Sequence, residues 1–198
     1  MSDARPDLRG LETQAYQQGG YFTAPQARAH GASRQLIEHH VRRGRFERVR
    51  RGLYRVHGFP RDEHDDMREA WMAVGARDAL LSHQSALALL GLSDEIPDAV
   101  HLLVPRRRRG LRPPSGVLLH THPDQEAVPT VWLDGLPLST AARTLADVAK
   151  AMQPEQLQLA VRQALREGLA TASQLEDQAA LQNAGRLLEA IEIEKTRA

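Results

Sequence analysis

Residues 20–56 run GYFTAPQARAHGASRQLIEHHVRRGRFERVRRGLYRV, and this stretch decides the fold of the first part of the chain. Thr23 is a helix-capping residue followed closely by a proline, so a short helix is predicted over residues 25–30. Gly31 ends that helix, and a serine cap predicts a second helix over residues 33–43. Two short helices joined by a glycine-containing turn are typical of a helix-turn-helix.

The flanking segments extend this motif to a winged helix. A helix is predicted over residues 6–18, because its apolar residues recur at helical spacing. Two β-prone segments within residues 45–56 surround a turn near Arg51 and Gly52, which predicts a basic hairpin. In a winged helix such a hairpin lies beside the second helix of the motif, where its arginines reach phosphates or a narrow minor groove.

One side of the predicted helix 33–43 is apolar and the opposite side is polar. The polar side carries residue types that bind base edges in the major groove. These residues are Gln35, Glu38, His39 and Arg42. A helix exposed only to solvent has the same pattern, so this face alone leaves both alternatives open.

The other predicted DNA contacts are the start of this helix and the basic residues that follow it. They are Ser33, Arg34, Arg43, Arg45, Arg48, Arg50, Arg51 and Arg55. Aromatic residues make up only 4% of the chain, which argues against stacking of single-stranded bases. Duplex DNA is therefore the expected partner.

The charge of the chain changes sign along its length, although its net charge is only +1. Residues 1–61 hold 12 arginines against five acids, a net charge of +7, and the rest hold 14 basic against 20 acidic residues, a net charge of −6. This asymmetry favours two functional parts, the first of which binds a polyanion. We expect a winged-helix DNA-binding domain over residues 1–60 and an α+β effector domain over residues 61–198.

Composition excludes several classes of protein. The chain has no cysteine, which removes disulfides and thiolate chemistry and fits a reducing compartment. Its two lysines, Lys150 and Lys195, form neither a phosphate-binding loop nor the Asp/Glu-x-Lys triplet of many metal-dependent nucleases. No apolar run is long enough to cross a bilayer, and the N-terminus is too polar for a signal peptide. A cytoplasmic location is expected.

The second part of the chain predicts a small mixed sheet packed with helices, so the fold class is α+β. Strands are predicted over residues 100–104 and 116–121, and a hairpin over residues 131–138. Ser82 is expected to cap one helix, and Ser173 with Glu176 forms a capping-box pattern for another.

Candidate chemical groups in this part have structural alternatives that we favour. His120 and His122 lie on one face of a strand and could ligate a metal, but no third ligand is apparent. Ser82 beside His83 lacks the glycines of a nucleophile elbow. The acids that follow His64 fit the start of a helix. No catalytic residue, metal or cofactor is predicted.

The arginine-rich segment between the two predicted strands is harder to interpret. It contains Arg106, Arg107, Arg108, Arg109 and Arg112. A solvated hairpin turn needs no function, but five neighbouring positive charges repel one another unless an anionic partner offsets them. A second nucleic-acid contact remains an equal alternative.

The order of these motifs resembles the AbiEi-type antitoxins, transcriptional regulators of abortive-infection toxin–antitoxin operons. The N-terminal resemblance lies in GYFT, the SRxxI helix start and the RxxRGLYRV wing. SHQSALALLGL, VHLLVP, GVLLHTH and GLPLSTAARTLADVA resemble the C-terminal effector domain. The resemblance implies a repressor that binds inverted repeats in its own operon and counters a nucleotidyltransferase-like toxin of a type IV system.

Our first hypothesis is therefore a repressor and antitoxin that binds double-stranded DNA as a monomer or homodimer. One alternative is a stand-alone winged-helix regulator or a protein-interaction module without a toxin partner. A weaker alternative is a hydrolase or nuclease that uses the histidines.

Overall fold

Local capping bonds define the helices of the N-terminal unit in this computed structural model, which describes residues 5–124 and 127–197. The chain divides into two compact units, residues 1–77 and 78–198. In the first unit the Ser33 hydroxyl accepts a hydrogen bond from the Leu36 N–H at 3.2 Å, as predicted. Thr23 and Gln26 form a reciprocal capping box. These caps fix where the two helices of the motif begin.

The N-terminal unit is a winged helix, and the α+β class predicted from the sequence is confirmed. Its helices are α1 (Leu8–Tyr16), α2 (Ala24–Ala29), α3 (Arg34–Arg42) and α4 (Asp65–Val74). Its strands are β1 (Tyr21–Thr23), β2 (Phe46–Arg50) and β3 (Leu53–Val56), which form an antiparallel sheet in the order β1-β3-β2. Strands β2 and β3 are the predicted wing.

Three aromatic rings connect the wing to the rest of this unit. The ring centroid of Phe22 on β1 lies 4.9 Å from that of Phe46 and 5.5 Å from that of Tyr54. All three side chains are buried together with Leu11 and Ile37. Because edge-on and offset ring contacts are favourable, they stabilise the wing against the helices.

The C-terminal unit is a five-stranded mixed sheet with helices. Its strands are β4 (Leu80–Leu81), β5 (Val100–Pro105), β6 (Val117–His122), β7 (Thr130–Leu133) and β8 (Leu136–Ser139), in the order β6-β5-β4-β8-β7. Its helices are α5 (His83–Leu89), α6 (Ala141–Val148), α7 (Pro154–Arg166), α8 (Ala172–Leu181) and α9 (Gly185–Arg197). Leu145, Val161, Leu175 and Ile191 are fully buried in the core shared by these helices.

The predicted hairpin turn at the arginine-rich segment is wrong. Strands β5 and β6 are parallel neighbours, so residues 106–116 form a connection that returns the chain to the start of the next strand. Parallel strands cannot be joined by a tight turn. The hairpin predicted over residues 131–138 is confirmed, with left-handed φ values of 49° at Asp134 and 74° at Gly135.

Two predicted caps in this unit also differ from the structure. Ser82 occupies the position before α5, but its side chain makes no capping hydrogen bond. The capping box of α8 is formed by Thr171 and Gln174, and not by Ser173 and Glu176. The T-x-x-Q pattern satisfies the same two free amides and starts the helix two residues earlier.

Helix α4 belongs to the N-terminal unit, whose compact part extends to residue 77, whereas the boundary expected from the sequence lies after residue 60. The reason is a buried contact that local patterns do not reveal. The Tyr21 hydroxyl donates a hydrogen bond to Oδ2 of Asp65, in the first turn of α4, at 3.0 Å. Residues 61–77 therefore complete the packing of the winged helix.

Besides Asp62, which binds Arg68 at 2.8 Å, the carboxylate of Asp65 is a counter-charge for two buried arginines. Its Oδ1 lies 3.6 Å from Nη2 of Arg55 and 4.0 Å from Nη1 of Arg68. All three side chains are at least nine-tenths buried. A buried guanidinium requires such a partner, because it has lost its hydration.

We predict that Asp65→Asn lowers the free energy of unfolding of the N-terminal unit by on the order of 3 kcal/mol, because it removes the carboxylate charge that faces the buried guanidinium of Arg55. Urea unfolding followed by Trp71 fluorescence in a Trp132→Phe background measures this change. The control is Asp66→Asn at the neighbouring exposed position, with an expected loss below about 1 kcal/mol. Equal losses in the two variants would contradict the prediction.

Candidate nucleic-acid interface

The polar side of α3 exposes three of its four predicted base-contacting residues. Gln35, His39 and Arg42 are exposed, whereas Ile37 on the opposite side is buried. The turn before this helix contains Gly31 with a φ of 74°, a left-handed conformation that glycine adopts without strain. Helix α3 thus packs on the core through its apolar side and exposes a polar side of the kind that enters a major groove.

Glu38, the fourth predicted base-contacting residue, has an internal partner. Its Oε1 lies 3.1 Å from Nη2 of Arg48 on β2. The Arg48 guanidinium also lies over the ring of Tyr54, 5.9 Å from its centroid. The carboxylate of Glu38 therefore connects α3 to the wing in this structure.

A cleft of about 680 Å³ lies between α2, the first half of α3 and the wing. Its apolar walls include the small side chains of Ala24, Ala27 and Ala32. Its cationic lining residues are Arg28, Arg34, Arg48, Arg50 and Arg51, and Ser33 also lines it. This concave surface concentrates positive charge on both sides of an open groove.

Five exposed arginines of α2, α3 and the wing have no carboxylate partner within residues 5–124 and 127–197. We call them the free arginines: Arg28, Arg34, Arg42, Arg43 and Arg51. Their guanidinium groups are available for phosphate oxygens, which they bind in a bidentate manner. Arg28 was not among the predicted contacts, although an arginine on the first helix of a helix-turn-helix, which crosses the DNA backbone, was a usable signal.

Arg48 and Arg50 are exposed but paired. Nε of Arg50 donates a hydrogen bond to Oε1 of Glu69 on α4 at 2.6 Å, and Arg48 is paired with Glu38. Both arginine side chains keep about two-fifths of their surface in solvent. Such surface pairs contribute only about 0–1 kcal/mol, so a phosphate can replace the carboxylate at small cost.

Two predicted contacts have structural roles instead. Arg55 is 3% exposed, donates to the Pro60 carbonyl at 2.9 Å and lies over the ring of Tyr21, so its prediction as a DNA contact is wrong. Arg45 forms two hydrogen bonds with Glu12 at 2.7 and 3.0 Å, and the bond to this carboxylate raises the pKa of Arg45. Arg55 is thus held in the interior, whereas Arg45 is paired with Glu12 and keeps 38% of its side chain exposed.

His40 belongs to the packed side of α3. Its ring centroid lies 5.7 Å from that of Phe46. Burial, and secondarily the charge of Arg45, lower the pKa of His40. This side chain is therefore neutral at pH 7, and the cationic character of α3 comes from its arginines.

Residues 15–57 match the family described as transcriptional regulator, AbiEi antitoxin. Over these residues the winged helix resembles this family of regulators. The match covers β1, α2, α3 and both strands of the wing, and it confirms the resemblance inferred from the sequence. Helix α4, with the Asp65 carboxylate, lies beyond the matched residues.

The fold of most of the chain is similar to a solved structure, that of the RV2827C protein from Mycobacterium tuberculosis. The TM-score is 0.54 at 18% sequence identity, over 93% of this chain and 76% of that one. At this identity the likeness concerns the fold alone. No curated protein sequence matches the chain. Within the described residues, no helix is long and apolar enough to cross a membrane.

In the C-terminal unit, three histidines from separate elements meet. Nε2 of His120 on β6 lies 3.0 Å from Nδ1 of His101 on β5. The ring of His83, at the start of α5, stacks on His120 with a centroid distance of 3.5 Å. The sequence indicated His120 but not its two partners, because only the sheet brings them together.

The other residues of this region form local bonds. Nδ1 of His122 donates to the Pro123 carbonyl at 2.8 Å, and its side chain is buried. The Ser82 hydroxyl lies 3.1 Å from Nδ1 of His83. Across the described ranges, no group of three or more His, Asp or Glu side chains is arranged to hold a metal ion.

The three histidines are held in their neutral form. Burial lowers the pKa of His83 to about 3 and that of His120 to about 4, and it lowers the pKa of His101. The ordinary pKa of histidine is about 6.5, so below that pH these side chains bind protons in the unfolded chain but much less in the folded chain. Their stabilisation is complete above about pH 6.5 and is lost as the pH falls toward these lowered values.

We predict that His83→Asn reduces the loss of stability between pH 7 and pH 5 by about 1–2 kcal/mol, because one acid-sensitive group is removed. Asparagine tolerates the left-handed φ of 49° at this position. Urea unfolding at the two pH values gives the difference directly. His39→Asn, at an exposed position, is the control and should retain the wild-type pH dependence; the same result for His83→Asn would contradict the prediction.

Proposed function

We propose that the chain is a DNA-binding transcriptional repressor whose winged helix binds duplex DNA. The observation that carries this proposal is the set of free arginines: Arg28, Arg34 and Arg51 line the open cleft, and Arg42 and Arg43 are exposed at the end of α3. Internal carboxylates have already neutralised Arg45 and Arg55, so the charge that remains is directed outward. The match to a family of transcriptional regulators supports the same activity.

In this proposal, phosphate contacts supply most of the affinity. Arg28 and Arg34 lie on either side of the turn between α2 and α3, and Arg51 lies at the tip of the wing. Arginines at these points can bind backbone oxygens on the two sides of a groove. Because each contact releases a condensed counterion, the affinity should fall steeply with salt concentration.

Sequence preference in this proposal comes from α3. Gln35 and Arg42 have the donor patterns that suit adenine and guanine in the major groove. Exposed His39 lies on the same side of the helix. Glu38 can contact a cytosine amino group only by releasing Arg48, so we assign it primarily to holding the wing.

We further propose that the chain represses its own operon through inverted repeats. Two copies, bound as independent monomers or as a homodimer, place two α3 helices about one helical turn apart or a multiple of it. The match to a family of antitoxins supports a second proposed role, against a toxin of the nucleotidyltransferase type. The proposed activities are binding activities in the cytoplasm and assign no residue to catalysis.

Binding to the DNA upstream of its own coding sequence tests the proposed function. In a gel-shift titration at physiological salt, we expect that duplex to bind about 10³-fold or more tightly than a shuffled duplex of equal length and composition. Each half-site of the repeat should be protected in a footprint. Equal affinity for the two duplexes would contradict a repressor function.

Substitution of two exposed arginines should affect different properties. Arg42→Ala is expected to weaken operator binding by about 1–3 kcal/mol and to relax preference at one or two base pairs, since it removes a base contact. Arg51→Ala should weaken all duplexes alike and reduce the salt slope by about one unit. Each variant is the control for the other. The opposite assignment of effects would show that the wing, and not α3, contacts the bases.

A further inference from the structure

We propose that the loop joining β5 to β6 is a second DNA-binding element, which contacts duplex phosphates through Arg106, Arg109 and Arg112. The proposal rests on the proposed function of the winged helix, because it concerns the same polyanion. It lies outside residues 15–57, which match the family of regulators. We call residues 106–116 the basic loop.

The basic loop is an ordered structure. It begins with a 3₁₀ turn at Arg106–Arg108, which the Arg109 N–H closes by donating to the Arg106 carbonyl at 3.0 Å. A second bond runs from the Leu111 N–H to the Arg108 carbonyl at 2.9 Å, and two prolines follow. Prolines and internal bonds reduce the entropy that the loop loses on binding.

Two of its five arginines build the loop. Arg107 and Arg108 donate to the two oxygens of Asp78, at 2.9 and 3.1 Å. The Arg107 N–H also donates to Oδ1 of Asp124 at 2.9 Å. These two carboxylates anchor the loop to the segment before β4 and the segment after β6. In doing so they neutralise the charges of Arg107 and Arg108.

The other three arginines carry uncompensated charge. Arg106, Arg109 and Arg112 are exposed, and none has a carboxylate partner in the part of the chain that the structure describes. Three like charges within seven residues repel one another, and an external anion removes this repulsion. The structure thus separates the paired arginines that shape the loop from the unpaired arginines that face solvent.

Duplex phosphate fits these three side chains better than single-stranded nucleic acid does. The loop sequence RRRRGLRPPSG contains no aromatic residue on which an unpaired base could stack. Guanidinium groups bind phosphate oxygens in a bidentate manner without regard to sequence. Three exposed arginines on one loop therefore suit the regularly spaced phosphates of a duplex.

The first test is the salt dependence of operator binding by the full chain. Arg106→Gln/Arg109→Gln/Arg112→Gln is expected to reduce the slope of log affinity against log salt by about two to three units, since each lost phosphate contact contributes about 0.9. Affinity at physiological salt should fall about tenfold or more, with the base preference unchanged. The control, Lys150→Gln/Arg166→Gln, removes two exposed cations elsewhere in the same unit and should leave the slope near the wild-type value.

The second test uses the absence of cysteine from the sequence. Arg112→Cys introduces a single thiol that can carry a photoactivatable maleimide, and Arg166→Cys provides the matched control on a helix. We expect light-dependent cross-linking to the operator duplex from position 112 and not from position 166. This result would show proximity independently of any change in charge or stability.

The outcomes separate this inference from the proposed function. If the wild type binds its operator and Arg51→Ala lowers the slope, but the triple variant and the cross-linker have no effect, the second element is overturned and the repressor function stands. If the wild type does not prefer its operator to a shuffled duplex, the repressor function fails. If it binds no duplex, both fail. If the triple variant lost affinity for single-stranded RNA but kept the wild-type affinity for the operator duplex, the inference would also be overturned.

Discussion

The contact between Asp65 and Arg55 determines which surface the winged helix presents. Arg55 occupies the last strand of the wing, in the midst of a basic sequence, and a carboxylate ten residues later draws it into the interior. Tyr21 donates to the same carboxylate from β1, so one acidic group joins α4 to two strands. The position of the wing relative to α3 therefore depends on a residue that lies outside the family match.

The same principle divides the remaining arginines of this unit. Asp65 holds Arg55 in the interior, whereas Glu12, Glu38 and Glu69 hold Arg45, Arg48 and Arg50 in pairs whose arginine side chains stay about two-fifths exposed. A buried carboxylate holds its arginine permanently, since breaking such a pair exposes an uncompensated charge. An exposed pair is exchangeable. The interface is thus graded, from arginines that are always free to arginines that become free when a phosphate approaches.

The sequence predicted the elements of the winged helix because their determinants are local. Thr23, Ser33 and Gly31 act within one turn of their own position, and the wing follows from alternation around Gly52. The sequence did not predict the pairing of Arg55, the parallel arrangement of β5 and β6, or the meeting of His83 with His101 and His120. Each of these depends on residues that only the tertiary fold brings together, and their spacing along the sequence does not indicate such contacts.

The alanines that form the walls of the cleft have a consequence for how the winged helix transmits its geometry. A methyl group has no rotamers, so the part of the cleft wall formed by Ala24, Ala27 and Ala32 follows the backbone alone. The arginines that line the same cleft are flexible and can adjust to a ligand. A ligand must therefore fit the fixed contour of the alanine wall, whereas the arginines around it can follow the positions of the ligand's charges.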